Sequence, residues 1–379
     1  MIAAGKSLSA LIRDEIRATG AISFARFMQL ALYHSRHGYY ASGRAELGRG
    51  GDYFTNVSVG PVFARIIGLQ FYEFWKALDC PNEFPVVEQG AHHGQFALDL
   101  LRSLADHPAD FRSALRYRIL EPFAALANRQ RTTLECFSDQ VAWFNSFDEV
   151  EPFSGIHFSN ELFDALPVHL LVSKGEAGWN ERFVSFEGDH FDFVDRDIRD
   201  AELASHAMCL PVRDVGFETE VNLEAPRLIQ ALATKLNRGC VLAVDYGFSR
   251  SVLLDKARVT GTLQCRANHR RLPGPFERIG ESDITSHVDW TSLAEAAERA
   301  DLTISGFTDQ HHFLTGLLAA YEDVAAKLSS SERRGLQTLL HPEMLGRTFQ
   351  VFALNKGMPQ SLELSGFRFA KDPRRTLEL

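Results

Sequence analysis

The chain has 379 residues, 45% hydrophobic and 23% charged, the composition of a soluble globular protein long enough for two domains or one large domain with insertions. Its 40 Lys and Arg against 49 Asp and Glu leave a net charge of −9, which argues against the basic face needed to bind nucleic acid or an anionic membrane, so neither partner is expected. Five scattered cysteines make no CxxC pair, no apolar run reaches the ~20 residues that span a bilayer, and the first twenty residues, with acids at Asp14 and Glu15, read as neither a secretory signal nor a transit peptide; the expectation is a cytoplasmic protein with reduced thiols.

In chain order, helical periodicity comes first. Leu8, Leu11, Ile12 and Ile16 share a face, and after a break at Gly20 so do Phe24, Phe27, Met28 and Leu32, with Ser23 placed to cap the second helix. The stretch YHSRHGYYASGRAELGRGGDYFTN is a long Gly- and Tyr-rich loop, and long loops in compact domains usually carry function. Residues 61–79 return to helical spacing through Phe63, Ile66, Ile67, Phe71 and Phe74.

From residue 84 strands and helices alternate. FPVVE (84–88), YRILE (117–121), VAWF (141–144), GIHFS (155–159) and CVLAVDYG (240–247) read as strands; QFALDLLRSLADH, AALANRQRTTL and a short helix from NELFDAL read as helices. That alternation implies an α/β fold with a mostly parallel, doubly wound sheet. Residues 168–195 alternate at period two, with turn signals at Gly175 and Gly188, as an antiparallel insertion. Residues 291–339 read as largely helical, FQVFAL (349–354) as a last sheet strand, and the polar C-terminus as a loose tail.

VVEQGAHHGQFALDLL (86–101) has the strand–turn–helix shape of a nucleotide loop. In such a loop the first glycine makes the turn, the second lets a ligand approach the backbone and the third allows close helix packing. Gly90 and Gly94 take the first and third places, Ala91 and His92 lie between, and Glu121, closing the next strand, is placed to hold ribose hydroxyls. Glu88 is unusual for a nicotinamide site and suits a cofactor with a cationic amino-acid end, such as S-adenosylmethionine (SAM). Glycine spacing alone leaves an ordinary strand–turn–helix corner open.

Several segments occur together and in order: SFARFMQLALYHSRHGYY, GDYFTN, VVEQGAHHGQFALDLL, YRILEP, SNELFDALPV, LAVDYG, GTLQCRANHR, DITSHVDW and HPEMLGRTFQV. Over roughly residues 8–355 the chain resembles the MidA-like family of SAM-dependent methyltransferases, which includes a mitochondrial protein-arginine methyltransferase that assists assembly of respiratory complex I. The resemblance implies a Rossmann-type (class I) SAM methyltransferase core with a helical N-terminal cap and an inserted antiparallel and helical substrate region. The boundaries expected are a cap and lid loop over 1–80, a core over 81–167 and 225–265 with 340–356 completing the sheet, insertions over 168–224 and 266–339, and a tail over 357–379. It also implies that Glu88, Gly90, Ala91, His92, Gly94 and Glu121 hold SAM, that Asp52 and Thr55 lie on a loop folding over it, and that Asn160, Glu161 and Asp164 form a catalytic NExxDAxP motif. The chain departs from the family in having His92 where glycine is usual, Ala91 where proline is frequent, and Asn56, Val57 and Ser58 where Ser-Pro-Glu is usual. Histidine is enriched at positive φ, so His92 is compatible with the turn, its ring directed away from the cofactor or touching it.

The implied reaction is an in-line displacement in which positioning supplies ~7–11 kcal/mol. The implied acceptor is a protein side chain, with arginine favoured by family analogy. A guanidinium presents five donors, which carboxylates would clamp. Glu161 and Asp164, three apart, would share a helix face at a strand's carboxyl end, with Asn160 contacting SAM or the acceptor; alternatively Asn160 is an N-cap and the acids favour the helix dipole. Asp245 and Tyr246 lie on the same sheet edge as ligands or as a satisfied strand end. His287 and Asp289 line an acceptor pocket, or Asp283 and Thr285 serve as caps; Tyr39 and Tyr40 pack over the cofactor or pin the cap. No HExxH or Cys/His zinc pattern occurs, so no metal is expected, and the absence of GxSxG and P-loop sequences excludes serine hydrolases and kinases. A non-catalytic scaffold on the same fold is the rival reading, and a NAD-dependent oxidoreductase a weaker one.

Overall fold

The computed structural model describes residues 6–42, 55–268, 270–359 and 362–379. The chain divides into two compact units, one of Phe54–Phe163, Leu228–Ser249 and Trp290–Leu379, the other of Met1–Tyr53, Asp164–Arg227 and Arg250–Asp289.

Among the described residues, the first unit contributes seven strands to its sheet: β1 (Phe84–Gln89), β2 (Leu115–Leu120), β3 (Val141–Phe144), β4 (Phe153–Asn160), β5 (Leu236–Phe248), β6 (Thr303–Asp309) and β7 (Phe349–Lys356). Their order is β6-β7-β5-β4-β1-β2-β3. Strands β1 to β5 pair in parallel, and β7 runs antiparallel to both β5 and β6. The winding reverses between β1 and β4, so the carboxyl ends of these strands frame the crevice where open α/β sheets bind ligands. The apolar run Cys240–Val244 is buried throughout, as expected of a parallel strand covered on both faces.

The periodic helices cover one face of this sheet. Helix Val62–Ala77 buries Phe63, Ile66, Ile67, Phe71 and Phe74, and helix Gln95–Ser103 buries Phe96, Leu100 and Leu101. The ring of Phe96 stacks on Phe158 of β4 with centroids 4.3 Å apart, and Phe71 meets Phe158 edge-on at 5.5 Å. Each such ring stabilises the unit by about 1.5–3 kcal/mol through burial.

The second unit contains helices Leu8–Thr19 and Phe24–Tyr33, the latter capped by the Ser23 hydroxyl as its sequence suggests. Its antiparallel sheet joins Ile22–Ser23, Trp179–Glu187, His169–Ser173 and Glu218–Val221, with His190–Asp197 on the far side of Trp179–Glu187. Leu8, Ile12, Phe24, Phe27, Leu170, Val184 and Ile284 form its core.

Four sequence expectations change. Helix Val62–Ala77 and residues 290–339 belong to the sheet unit, because their apolar faces pack there, while residues 250–265 fall in the other unit. The stretch read as helical from 291 contains strand β6, whose register shifts between Ile304 and Gly306 and so breaks its period-two pattern. The C-terminal segment is docked: Leu364 and Leu377 are buried, and the amides of Ser365 and Gly366 donate to Glu73 and Gln70. Finally, no helix forms from residue 160, for reasons that lie in the site.

Candidate active site

β1 leads through Gln89 into the turn Gly90–Gly94, which opens helix Gln95–Ser103. Alternate residues of the turn are left-handed: Gly90 has φ 80°, His92 47° and Gly94 79°. The Gly94 amide donates to the Ala91 carbonyl at 2.7 Å and closes the turn. A Cβ on Gly90 would stand 3.4 Å from Leu162 Cδ1, and one on Gly94 3.3 Å from Leu134 Cδ1, so glycine admits close packing from two sides. His92 takes the middle place without breaking the pattern. Its ring lies against that of His93, centroids 3.9 Å apart, and both ring nitrogens are buried without a hydrogen-bond partner. Burial pushes His92 down to about 3, so the ring is neutral.

Two buried acids flank the turn. Glu88 accepts a 2.7 Å hydrogen bond from Tyr117 Oη of β2, and burial raises its carboxyl to about 7. Glu121, just past β2, accepts from the Phe123 amide at 3.0 Å and from Gln130 Nε2 at 2.9 Å. Burial raises it, too, to about 7. Gln130, fully buried on helix Ala124–Thr133, also donates to the His92 carbonyl at 2.9 Å and accepts from Trp143 Nε1 at 3.1 Å. It ties the turn to Glu121, and its sequence context, a weakly amphipathic polar helix, gives no sign of that.

The end of β4 forms the other side. The Glu161 amide extends the parallel ladder to the Val244 carbonyl at 2.9 Å, and Glu161 then turns left-handed, φ 55°. The amides of Leu162 and Phe163 donate to Asp245 Oδ2 at 3.0 and 2.8 Å instead of starting a helix. Asn160 is therefore not an N-cap. Its Nδ2 donates to Glu161 Oε1 at 2.9 Å, and its Oδ1 accepts from Asn56 Nδ2 at 3.1 Å. Asn56, which the sequence marks as a departure, is the residue that reaches the motif. Thr55 is buried in a local turn with Ser58, and Asp52 lies outside the described residues.

Glu161 and Asp164 do not share a helix face. Asp164 opens the other unit, where its carbonyl accepts from the Ser286 amide at 2.9 Å. In that unit Tyr40 Oη donates to Asp283 at 2.7 Å, Tyr33 stacks on Tyr40, Tyr39 is buried and Arg250 pairs with Asp289 at 3.3 Å. The His287 amide donates to Thr262 Oγ1 at 3.0 Å, and burial lowers its ring to about 4. No cluster of metal-ligating side chains occurs among the described residues.

The geometry suits SAM. The turn after β1 takes three left-handed residues, a helix N-terminus follows it where the winding reverses, and a buried acid follows the next strand. A family model described as "Putative S-adenosyl-L-methionine-dependent methyltransferase" matches residues 66–308. A Burkholderia thailandensis structure described as "a COG1565 superfamily member and likely methyl transferase", bound to S-adenosyl-homocysteine, superposes with a TM-score of 0.87 at 31% identity, covering 97% of this chain and 96% of that one. Curated relatives include the Drosophila melanogaster "Protein arginine methyltransferase NDUFAF7 homolog, mitochondrial", 27% identical over 93% of this chain and 85% of the relative. The Homo sapiens "Protein arginine methyltransferase NDUFAF7, mitochondrial" is 24% identical over 96% and 85%. These relatives are mitochondrial and overturn the cytoplasmic expectation, which rested on scattered cysteines and charge that do not distinguish one compartment from another. On this fold, this loop and these matches, the chain belongs to the family of SAM-dependent methyltransferases, with SAM as its cofactor.

Proposed function

We propose that the enzyme methylates a protein side chain, with the guanidinium of arginine as acceptor. The observation that carries the catalytic reading is Glu161, a half-buried carboxylate held at the carboxyl end of β4, beside the strand that supplies the cofactor turn. The relatives' naming as protein arginine methyltransferases supports the acceptor class, and the net charge of −9 suits a cationic partner.

SAM supplies an electrophilic methyl group on a sulfonium. Gly90 to Gly94, Glu88 and Glu121 would hold it, with Glu121 accepting from ribose hydroxyls when ionised, and Thr55 precedes Asn56, which bonds Asn160. Glu161 accepts hydrogen bonds from the guanidinium and turns one nitrogen toward the methyl carbon. Glu161 would take up the proton that the acceptor nitrogen loses on methylation. Asn160 fixes the Glu161 oxygen that faces it. Asp164 is the second acid of the motif.

Labelling a cell extract with methyl-tritiated SAM and hydrolysing the labelled protein tests the acceptor: methylarginine is expected, and label confined to any other residue overturns it. Glu161→Gln is expected to lower labelling by at least about tenfold with SAM affinity unchanged. Full labelling would remove Glu161 from the reaction, and Asp164→Asn, run in parallel, measures the second acid.

A further inference from the structure

We propose that Asp245 is the positioning residue for Glu161; this rests on the catalytic reading above. Asp245 is fully buried at the end of β5. Its two oxygens collect three backbone amides: Leu162 and Phe163 on Oδ2 at 3.0 and 2.8 Å, and Tyr246 on Oδ1 at 2.9 Å. Two successive amides converging on one carboxylate oxygen make an anion nest closed by the protein's own side chain.

The nest accounts for a backbone conformation that local sequence disfavours. A left-handed non-glycine residue costs roughly 1–3 kcal/mol and persists only where its surroundings over-determine it. Glu161 is held on one side by the Val244 carbonyl and on the other by the amides that Asp245 fixes. Released from the nest, residues 161–163 are free to take the helical turn that their side chains favour, and the Glu161 carboxylate leaves its place beside Asn160. A shift of about 1 Å in a reacting group costs on the order of 100-fold in rate.

Asp245→Asn keeps the volume and removes the charge that both amides share. It is expected to lower the maximal rate of tritium transfer into extract protein by about 10- to 100-fold, with the apparent KM and the calorimetric Kd for SAM unchanged. A residue acting through Glu161 has little left to lose once Glu161 is gone, so in the Glu161→Gln background the same change is expected to cost less than about threefold. Independent, multiplying losses would overturn the proposal. Amide hydrogen exchange supplies a reading without activity: the Leu162 and Phe163 amides should exchange faster in Asp245→Asn, and unchanged protection overturns the proposal even if Glu161→Gln proves fully active, an outcome that by itself sinks only the catalytic reading. Should Asp245→Asn fail to fold, Asp245→Glu, which retains both oxygens, carries the same cycle.

Discussion

The side-chain amide of Gln130 donates to the Glu121 carboxylate at 2.9 Å, and the same nitrogen reaches the backbone carbonyl of His92 at 2.9 Å. One buried side chain thus sets the distance between the two halves of the proposed cofactor site, the turn after β1 and the acid after β2. Gln130→Leu keeps the bulk, removes both bonds and leaves a buried carboxylate short of a donor. SAM affinity should fall about tenfold, equivalent to ~1.4 kcal/mol, by isothermal titration. An unchanged Kd would show that the turn and the acid hold their places independently.

If Glu121 holds the ribose as proposed, cofactor binding will depend on pH. Burial raises its carboxyl to about 7, and only the ionised form accepts fully from ribose hydroxyls, so SAM affinity should fall as pH drops from 8 to 6. Glu121→Gln should bind weakly at both ends of that range, with a flat profile.

The same shift bears on stability with the opposite slope. A folded carboxyl raised above its ordinary value of 4.5 binds a proton that the unfolded chain has released, so the contribution of Glu88 and Glu121 is complete below pH 4.5 and is lost as pH rises through about 7. Each accounts for at most about 3.5 kcal/mol. Melting temperature should therefore decline across this window, and Glu88→Gln or Glu121→Gln should flatten part of the decline.

His92→Gly removes a left-handed side chain and two buried nitrogens that lack partners. SAM binding should be retained or tightened, and stability unchanged or raised by about 1 kcal/mol. Loss of binding in this variant would identify the imidazole as a ligand contact.

Gly306→Val places a Cβ against the ring of Phe367, which packs over β6 at that point. Overpacking of this kind costs about 1–3 kcal/mol. The outcome expected is release of the docked C-terminal segment, read as faster limited proteolysis after Leu364, with the sheet unit still folded.

The strands β1 to β5, the first two helices and the Ser23 cap follow from patterns within about a dozen residues, and those were legible. What escaped depends on distant partners. The acids of NELFDAL imitate a first helical turn, but the amides of Leu162 and Phe163 between them are claimed by Asp245, and no local pattern reports a competitor so far along the chain. Gln130 sits in a helix with little amphipathic contrast, and its role exists only once β2, β3 and the His92 carbonyl converge on it. Asn56 reads as a departure from the family string, yet it bonds Asn160. The C-terminal segment is polar in composition, and apolar residues within it, Leu364, Phe367 and Leu377 among them, hold it down.

The turn after β1 has a rhythm of backbone handedness, left at residues 90, 92 and 94, and two different residue types keep the beat. A search that spells this loop in glycines scores His92 as an error, whereas one that spells it in φ finds a complete word. Loops dismissed as degenerate for want of a middle glycine deserve to be rescored by which residues tolerate left-handed geometry, with histidine, asparagine and aspartate admitted beside glycine.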